Sequence, residues 1–153
     1  KERSLIGQLG GSKNNLSGFV DIAIMQSLIS GDEVRGLVKD YGMVIVDECQ
    51  FLSRAEVAWL VKVVDEENIP VICYGLRADF RGELFPGSYH LLVLADKLEE
   101  VKTICWCGRK AICNARVVDG VVVKEGDQIL LGGSSQYVSL CLKHFHEGKL
   151  GEE

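Results

Sequence analysis

The sequence predicts an α/β fold in which a parallel sheet with helices is followed by a small β module. Three observations predict it. An apolar run at residues 43–46 precedes a helical pattern that begins near Ser53, and a second apolar run follows at Val71–Leu76. Strand–helix–strand units of this kind form parallel sheets. After Lys102 the chain becomes rich in cysteine, glycine and short β-branched runs, which favours a separate β module.

The strand–helix–strand unit depends on local signals. Met43–Val46 is short, apolar and partly β-branched, which favours a buried strand. Ser53 and Glu56 have the spacing of a capping box, and Asn68 with Pro70 ends the helix. Apolar residues at helical spacing predict which face of this helix is buried, namely Val57, Leu60, Val61 and Val64.

The remaining elements are predicted from shorter patterns. Residues 32–40 predict a short helix, and Leu91–Ala95 predicts a further strand. In the β module the expected strands are 115–118, 121–124, 128–131 and 137–142. We divide the chain into a segment of uncertain origin at residues 1–43, an α/β core at 44–100 and the β module at 101–153.

Composition and charge narrow the classes of function. Of 153 residues, 47% are hydrophobic and 25% are charged, which is typical of a globular protein. The net charge is −5, and the basic residues are scattered along the chain instead of clustered as on a nucleic-acid-binding face. We therefore expect small anionic ligands. No apolar run approaches the length of a membrane span, and no secretory signal opens the chain, so the expected compartment is the cytoplasm.

Two close pairs of metal-ligand residues predict a zinc site. They are Cys105-x-Cys107 and Cys141-x-x-His144. Four such ligands suit closed, tetrahedral, structural zinc. Cys113 is an alternative ligand, and the other cysteines are typical of a protein core.

Asp47 and Glu48 follow the predicted strand at 43–46. An aspartate at the carboxyl end of a buried strand is the Walker-B arrangement, which holds Mg²⁺ beside nucleotide phosphates. The neighbouring glutamate is placed to accept a proton. The alternative interpretation of this pair is the solvated start of a loop.

Six longer stretches carry a further resemblance, namely 47–52, 73–85, 94–97, 104–111, 132–133 and 137–144. Over about residues 44–147, these runs resemble the zinc-containing (type II) thymidine kinases and follow the order of that family. The resemblance implies a P-loop-kinase-like parallel sheet and a zinc module that carries a lasso loop. It also implies a homotetramer whose substrates are thymidine and ATP, with Mg²⁺ bound to ATP and a structural Zn²⁺.

The resemblance also assigns roles to individual residues. Glu48 would be the general base that takes the proton of the thymidine 5′-hydroxyl, and Asp47 and Gln50 would serve the Mg²⁺–ATP side. Four apolar residues would surround the thymine ring, namely Phe51, Leu76, Phe80 and Phe85. Asn114 and the lasso would contact the base, the lasso comprising Gln128, Ile129, Leu130, Leu131, Gly132 and Tyr137.

The first part of the chain departs from that family. A phosphate loop would read G-x-x-x-x-G-K-[ST], and the nearest stretch, Gly7–Asn14, lacks its second glycine and its final hydroxyl. The runs Ile6–Gly11, Val20–Leu28 and Tyr41–Cys49 follow one another in this part of the chain. Over residues 1–48 they resemble the first motor domain of DEAD/DEAH-type helicases, which would make the chain a chimera. We therefore expect a thymidine kinase, with weak or no activity unless a phosphate loop lies outside these 153 residues. The alternatives are a non-catalytic zinc-bearing nucleoside-binding module and a helicase fragment.

Overall fold

The computed structural model describes residues 5–30, 33–34, 36–129 and 136–151. The chain is a mixed α/β protein with several small sheets, and it divides into two compact units, Lys1–Gly75 and Leu76–Glu153. Within the described residues, no helix has both the length and the apolar character needed to cross a membrane. The domain boundaries near residues 43 and 100 stay predictions.

The first unit begins with a three-stranded sheet of β1 (Ile6–Gly10), β2 (Lys13–Asn15) and β3 (Val20–Ala23). The order is β2-β1-β3, with β1 antiparallel to β2 and parallel to β3. The turn at residues 10–12 has positive φ throughout, which two glycines permit. The stretch nearest to a phosphate loop is therefore a β-hairpin.

Short elements connect this sheet to the next. They are α1 (Met25–Leu28), β4 (Ile29–Ser30), β5 (Glu33–Val34) and a 3₁₀ helix at Gly36–Asp40. The helix expected at residues 32–40 is thus confirmed only as five residues of 3₁₀ helix.

The predicted strand–helix–strand unit is confirmed as β6 (Val44–Val46), α2 (Arg54–Asp65) and β7 (Val71–Cys73), with β6 and β7 parallel. The capping box is also present. The Ser53 hydroxyl accepts from the Glu56 N–H at 3.2 Å, and the Glu56 carboxylate accepts from the Ser53 N–H at 2.7 Å. The buried face of α2 is rotated from the predicted one and comprises Val57, Trp59, Leu60 and Val63.

The second unit begins with residues that contradict one prediction. The strand expected at Leu91–Ala95 is wrong, because these residues end α3 (Pro86–Leu94). Pro86 at the first position of the helix has a φ suited to helix initiation. A short apolar run cannot by itself distinguish a strand from a helix.

The β module contains β8 (Thr103–Ile104), β9 (Lys110–Ala111), β10 (Cys113–Val118), β11 (Val121–Val123), β12 (Gln136–Leu140) and α4 (Leu142–Glu147). Three of its strands form an antiparallel sheet in the order β11-β10-β12. Gln128 and Ile129 are not in a strand, contrary to prediction, and residues 130 and 131 lie outside the described residues. The module's small core contains Cys105, Ala111, Ala115, Leu140, Cys141 and Phe145.

Candidate functional site

The acidic pair lies where β6 ends. Asp47 and Glu48 are both exposed, and the Asp47 carboxylate accepts from the Glu48 N–H at 2.9 Å. Glu48 has φ 52° and ψ 37°, the left-handed conformation. A non-glycine residue in this conformation costs about 1–2 kcal/mol, and such strain concentrates at functional sites. The β6–β7 pairing continues to this point, since the Tyr74 N–H donates to the Val46 carbonyl at 2.8 Å.

Gln50 fixes the side chain of Glu48. It lies in a short 3₁₀ helix at Cys49–Phe51 and is only 1% exposed. Its amide nitrogen donates to the Glu48 carboxylate. The buried Gln50 side chain therefore holds the exposed Glu48 carboxylate through a hydrogen bond. A role for Gln50 on the nucleotide side stays a prediction.

The predicted pocket residues differ in exposure. Phe51 in the first unit is 53% exposed, and Leu76 in the second is 42% exposed. Phe80 and Phe85 are buried. The Leu76 carbonyl accepts from the hydroxyl of Ser88 on α3 at 2.6 Å, which fixes the start of the second unit. Large apolar side chains that stay exposed suit an apolar ligand as well as a protein contact.

The predicted lasso is described in part. Ile129 is exposed, whereas Leu130, Leu131 and Gly132 lie outside the described residues. Gln128 is half-buried, and its amide donates to the Asp79 carboxylate at 3.0 Å.

Two other positions lie on the strands of the β module. Tyr137 on β12 pairs with Arg116 on β10, and Asn114 on β10 pairs with Ser139 on β12. The Tyr137 hydroxyl accepts from the Arg116 guanidinium at 3.0 Å. Tyr137 itself is 49% exposed, and Asn114 is half-buried.

The four predicted metal ligands come together. Their ligand atoms lie within 4.8 Å of one another. The Cys105 sulfur is 3.5 Å from His144 Nδ1, and the Cys107 sulfur is 4.0 Å from the Cys141 sulfur. Sulfur atoms bound tetrahedrally to zinc at about 2.3 Å are about 3.8 Å apart, so the cluster fits that ion.

Local structure explains how the four ligands meet. Cys105 and Cys107 lie on the turn between β8 and β9, which is closed by the Gly108 N–H donating to the Cys105 carbonyl at 2.9 Å. Cys141 precedes α4, and His144 lies one turn into that helix. The Trp106 ring stacks on the His144 ring with centroids 4.2 Å apart.

The Cys105 thiol is prepared for metal binding. Burial acts to raise its pKa, but hydrogen bonds from the backbone N–H groups of Cys107 and Cys141 and from the side chains of His144 and Cys107 together lower the pKa to about 6. A thiolate is the form that binds metals. Cys113 is not among the four clustered ligands, so the alternative that it replaces one of them has no support in the described residues.

Sequence reasoning missed Arg116 and Asp79, which are both buried in the second unit. Arg81 forms an ion pair with two carboxylates, its Nη2 lying 2.8 Å from the Asp79 carboxylate and 3.0 Å from that of Glu83. Arg116, a charged residue between apolar neighbours of a β-branched run, was the only visible signal of a buried polar centre.

Comparison with known proteins places the site in context. The family model described as thymidine kinase matches residues 18–145. A thymidine kinase of Blochmanniella pennsylvanica is 59% identical over 105 residues, which cover 68% of this chain and 51% of that protein. One of Legionella pneumophila strain Paris is 53% identical over 113 residues, covering 73% of this chain and 54% of the relative. One of Vibrio parahaemolyticus is 57% identical over 105 residues, covering 68% and 55%.

These matches correct one expectation. The family match begins at residue 18, so residues 18–43 do not lie outside the family. The matches support neither the helicase resemblance nor a chimera. The chain spans about half the length of the curated relatives it matches.

Proposed function

Because the chain belongs to the thymidine kinase family, we propose that it carries the nucleoside-side machinery of an enzyme that phosphorylates thymidine from ATP. The observation that carries this proposal is the geometry of Glu48. Its carboxylate is exposed at the end of β6, its backbone is strained, and buried Gln50 fixes its orientation. A general base must be held in one orientation in this way.

The proposed reaction is an in-line phosphoryl transfer. Glu48 takes the proton of the thymidine 5′-hydroxyl, whose oxygen forms a bond to the γ-phosphorus. The bond from that phosphorus to the β,γ-bridging oxygen breaks, and ADP leaves. Mg²⁺, when bound with ATP, neutralises charge on the phosphates, and exposed Asp47 would hold it. The parallel β6–β7 pair supports a P-loop-kinase-like sheet.

The second unit supplies residues suited to the thymine base. Phe80, Phe85 and Leu76 would line the pocket around the base. Tyr137 and the main chain at Ile129 would lie at its polar edge, and the lasso positions 130–132 lie outside the described residues. A buried polar group left unpaired by a wrong base costs about 1–3 kcal/mol, which gives discrimination.

The four-ligand cluster would hold structural zinc. Cys105, Cys107, Cys141 and His144 supply four ligands, which is a complete tetrahedral set. No step of the reaction passes through this ion. Its role would be to join the β8–β9 turn to α4, and so to stabilise the small core of the module.

Phosphate transfer from ATP to thymidine tests the proposal. Glu48→Gln should lower the rate at least about 100-fold, because general-base catalysis contributes about 10²–10⁴. Glu66→Gln is the matched control, since it removes an exposed carboxylate in the same unit and should leave the rate unchanged. Equal rates for the wild type and Glu48→Gln would show that Glu48 is not the base. The expected homotetramer is tested separately by light scattering.

A second candidate is a nucleoside-binding module without transfer activity. It is favoured by the β1–β2 hairpin, which occupies the stretch of this sequence nearest to a phosphate loop. Calorimetry with thymidine, with and without Mg²⁺–ATP, separates the candidates. Thymidine binding that Mg²⁺–ATP leaves unchanged, together with no transfer, favours the binding module.

A further inference from the structure

Arg116 is a buried cation that holds main-chain carbonyl groups. It lies on β10 and is 3% exposed, between the equally buried Ala115 and Val117. Its two terminal nitrogens donate to successive carbonyls, that of Asp127 at 2.9 Å and that of Gln128 at 3.1 Å. A planar guanidinium suits such a fork, which a lysine could not reproduce.

The same guanidinium has two further partners. Its Nε donates to the Tyr137 hydroxyl at 3.0 Å, and its carbon lies 3.7 Å from the centroid of the Phe80 ring. A cation this close to an aromatic face, away from water, is attracted to the ring. Arg116 therefore contacts Asp127 and Gln128, Tyr137 further along the chain, and Phe80 near the start of the second unit.

Asp79 holds Gln128 from its other end. Asp79 is 5% exposed. One carboxylate oxygen accepts from the N–H groups of Arg81 at 2.8 Å and Glu83 at 3.0 Å. The other accepts from Arg81 Nε at 2.9 Å and from the Gln128 amide at 3.0 Å. Gln128 is thus fixed through its main-chain carbonyl by Arg116 and through its side chain by Asp79.

We propose that Arg116 and Asp79 form a clamp that positions Gln128, Tyr137 and Phe80 for nucleoside binding. Arg116 is a positioning residue, because it acts through these three residues. The inference rests on the proposed function, which assigns the three to the thymine side. The clamp changes the role of Gln128. Its side-chain NH₂ group donates to Asp79, and its main-chain carbonyl accepts from Arg116. Gln128 sets the path of the chain, and these two groups bind Arg116 and Asp79 instead of the base.

The clamp explains why both charges are buried. An unpaired buried charge is costly, so each must keep its partners. Four of the contacts of Arg116 and Asp79 go to Asp127, Gln128 and Tyr137, so these three residues are held wherever the two charges are satisfied. A preformed binding segment loses less conformational entropy when a ligand binds, which increases affinity.

Two variants test the clamp in the whole chain. Arg116→Lys keeps the charge and loses the fork. Gln128→Leu keeps the carbonyl contact and removes only the side-chain bond to Asp79. Lys97→Met is the control, because Lys97 is an exposed cation of the same unit, paired with Glu99. Three measurements are made on each variant: amide hydrogen exchange, zinc content and thymidine affinity by calorimetry.

We expect both variants to speed amide exchange around residues 127–129 and at Tyr137 by about tenfold or more, and to weaken thymidine binding about tenfold. Zinc content and exchange at residues 105–111 should match those of the wild type. A merely structural role would instead speed exchange evenly through β10, β11 and β12.

The outcomes separate the clamp from the proposed function. Local exchange and affinity within twofold of the control would overturn the clamp, as would an even rise in exchange across the three strands. If Arg116→Lys loses zinc, Gln128→Leu decides, because its half-buried side chain can be replaced without burying an unpaired charge. If the wild type does not bind thymidine but both variants speed exchange locally, the proposed function and the role in nucleoside binding fail, and only the local clamp on residues 127–129 and Tyr137 stands.

Discussion

Gly75 lies just after β7, where its backbone approaches the segment that follows Glu48. A Cβ at this position would be 2.5 Å from the Gln50 side-chain oxygen, 2.6 Å from the Cys49 sulfur and 3.1 Å from the Cys49 nitrogen. Gln50 is 1% exposed and Cys49 is 6% exposed, so neither has free space to move into. The φ of Gly75 is not in the left-handed region, so Gly75→Ala would add no left-handed backbone strain to the folded state.

The magnitude follows from two opposing effects. Overpacking a well-packed interior costs about 1–3 kcal/mol. Replacing glycine by alanine also stabilises by about 0.4–1 kcal/mol, because the unfolded chain loses freedom. Gly42→Ala isolates that second effect, since nothing lies within 4 Å of its Cβ and its φ is not positive. We therefore expect Gly75→Ala to be about 1–3 kcal/mol less stable than Gly42→Ala.

Urea unfolding measures this difference. The chain has two tryptophans, and Trp59 is buried on α2 in the same unit as Gly75. In a Trp106→Phe background the fluorescence change therefore reports the first unit. Because Gln50 holds the Glu48 carboxylate, Gly75→Ala should also reduce any transfer to thymidine. Stabilities of Gly75→Ala and Gly42→Ala within about 0.5 kcal/mol, the range of neutral substitutions, would refute the packing argument.

Three further predictions concern other parts of the chain. Ser53→Ala should lower the free energy of unfolding by about 1 kcal/mol in the same urea assay, because it removes the helix cap, and an unchanged midpoint would contradict this. Cys107→Ser should reduce zinc from one ion per chain, measured by mass spectrometry of the metal, whereas Cys73→Ser should retain it. Burial raises the pKa of Asp79, but hydrogen bonds from Glu83, Arg81 and Gln128 lower it overall. Its ionisation therefore stabilises the fold above the unfolded carboxyl pKa of about 3.9, and this is lost as pH falls through the lower folded value, so Asp79→Asn should flatten acid unfolding below that pH.

The elements that could be predicted are those whose signals are local. The capping box at Ser53 and the β-branched composition of Val44–Val46 each specify an element within a few residues. The run at Leu91–Ala95 misled because it has no alternation, and the decisive feature, Pro86, lies at the far end of the helix. The burial of Trp59 and Val63 on α2 depends on tertiary packing, which a helical pattern fixes only approximately.

The approach of the four candidate metal ligands and the position of the acidic pair after β6 could be predicted, because these side chains lie at fixed spacings in the sequence. Cys105 and Cys107 share one turn, and Cys141 and His144 share the start of one helix. The pairing of β10 with β12 then helps to bring the two pairs of ligands together. The buried position of Gln50 beneath Glu48 could not be predicted, because nothing in its spacing distinguishes an amide that orients a carboxylate from one that faces solvent.

The clamp at Arg116 shows a different limit. Two of its four partners are main-chain carbonyls, which every residue possesses, so the residue types at positions 127 and 128 give no sign of them. The contact to Asp127 does not use that residue's carboxylate at all. Only Arg116 itself is a signal in the sequence, as a charged residue within an apolar strand. A buried charge must have polar partners, but the sequence does not identify which residues they are. A segment held through its main chain can therefore vary in sequence and keep its position, whereas the arginine that holds it cannot change even to lysine without losing the fork.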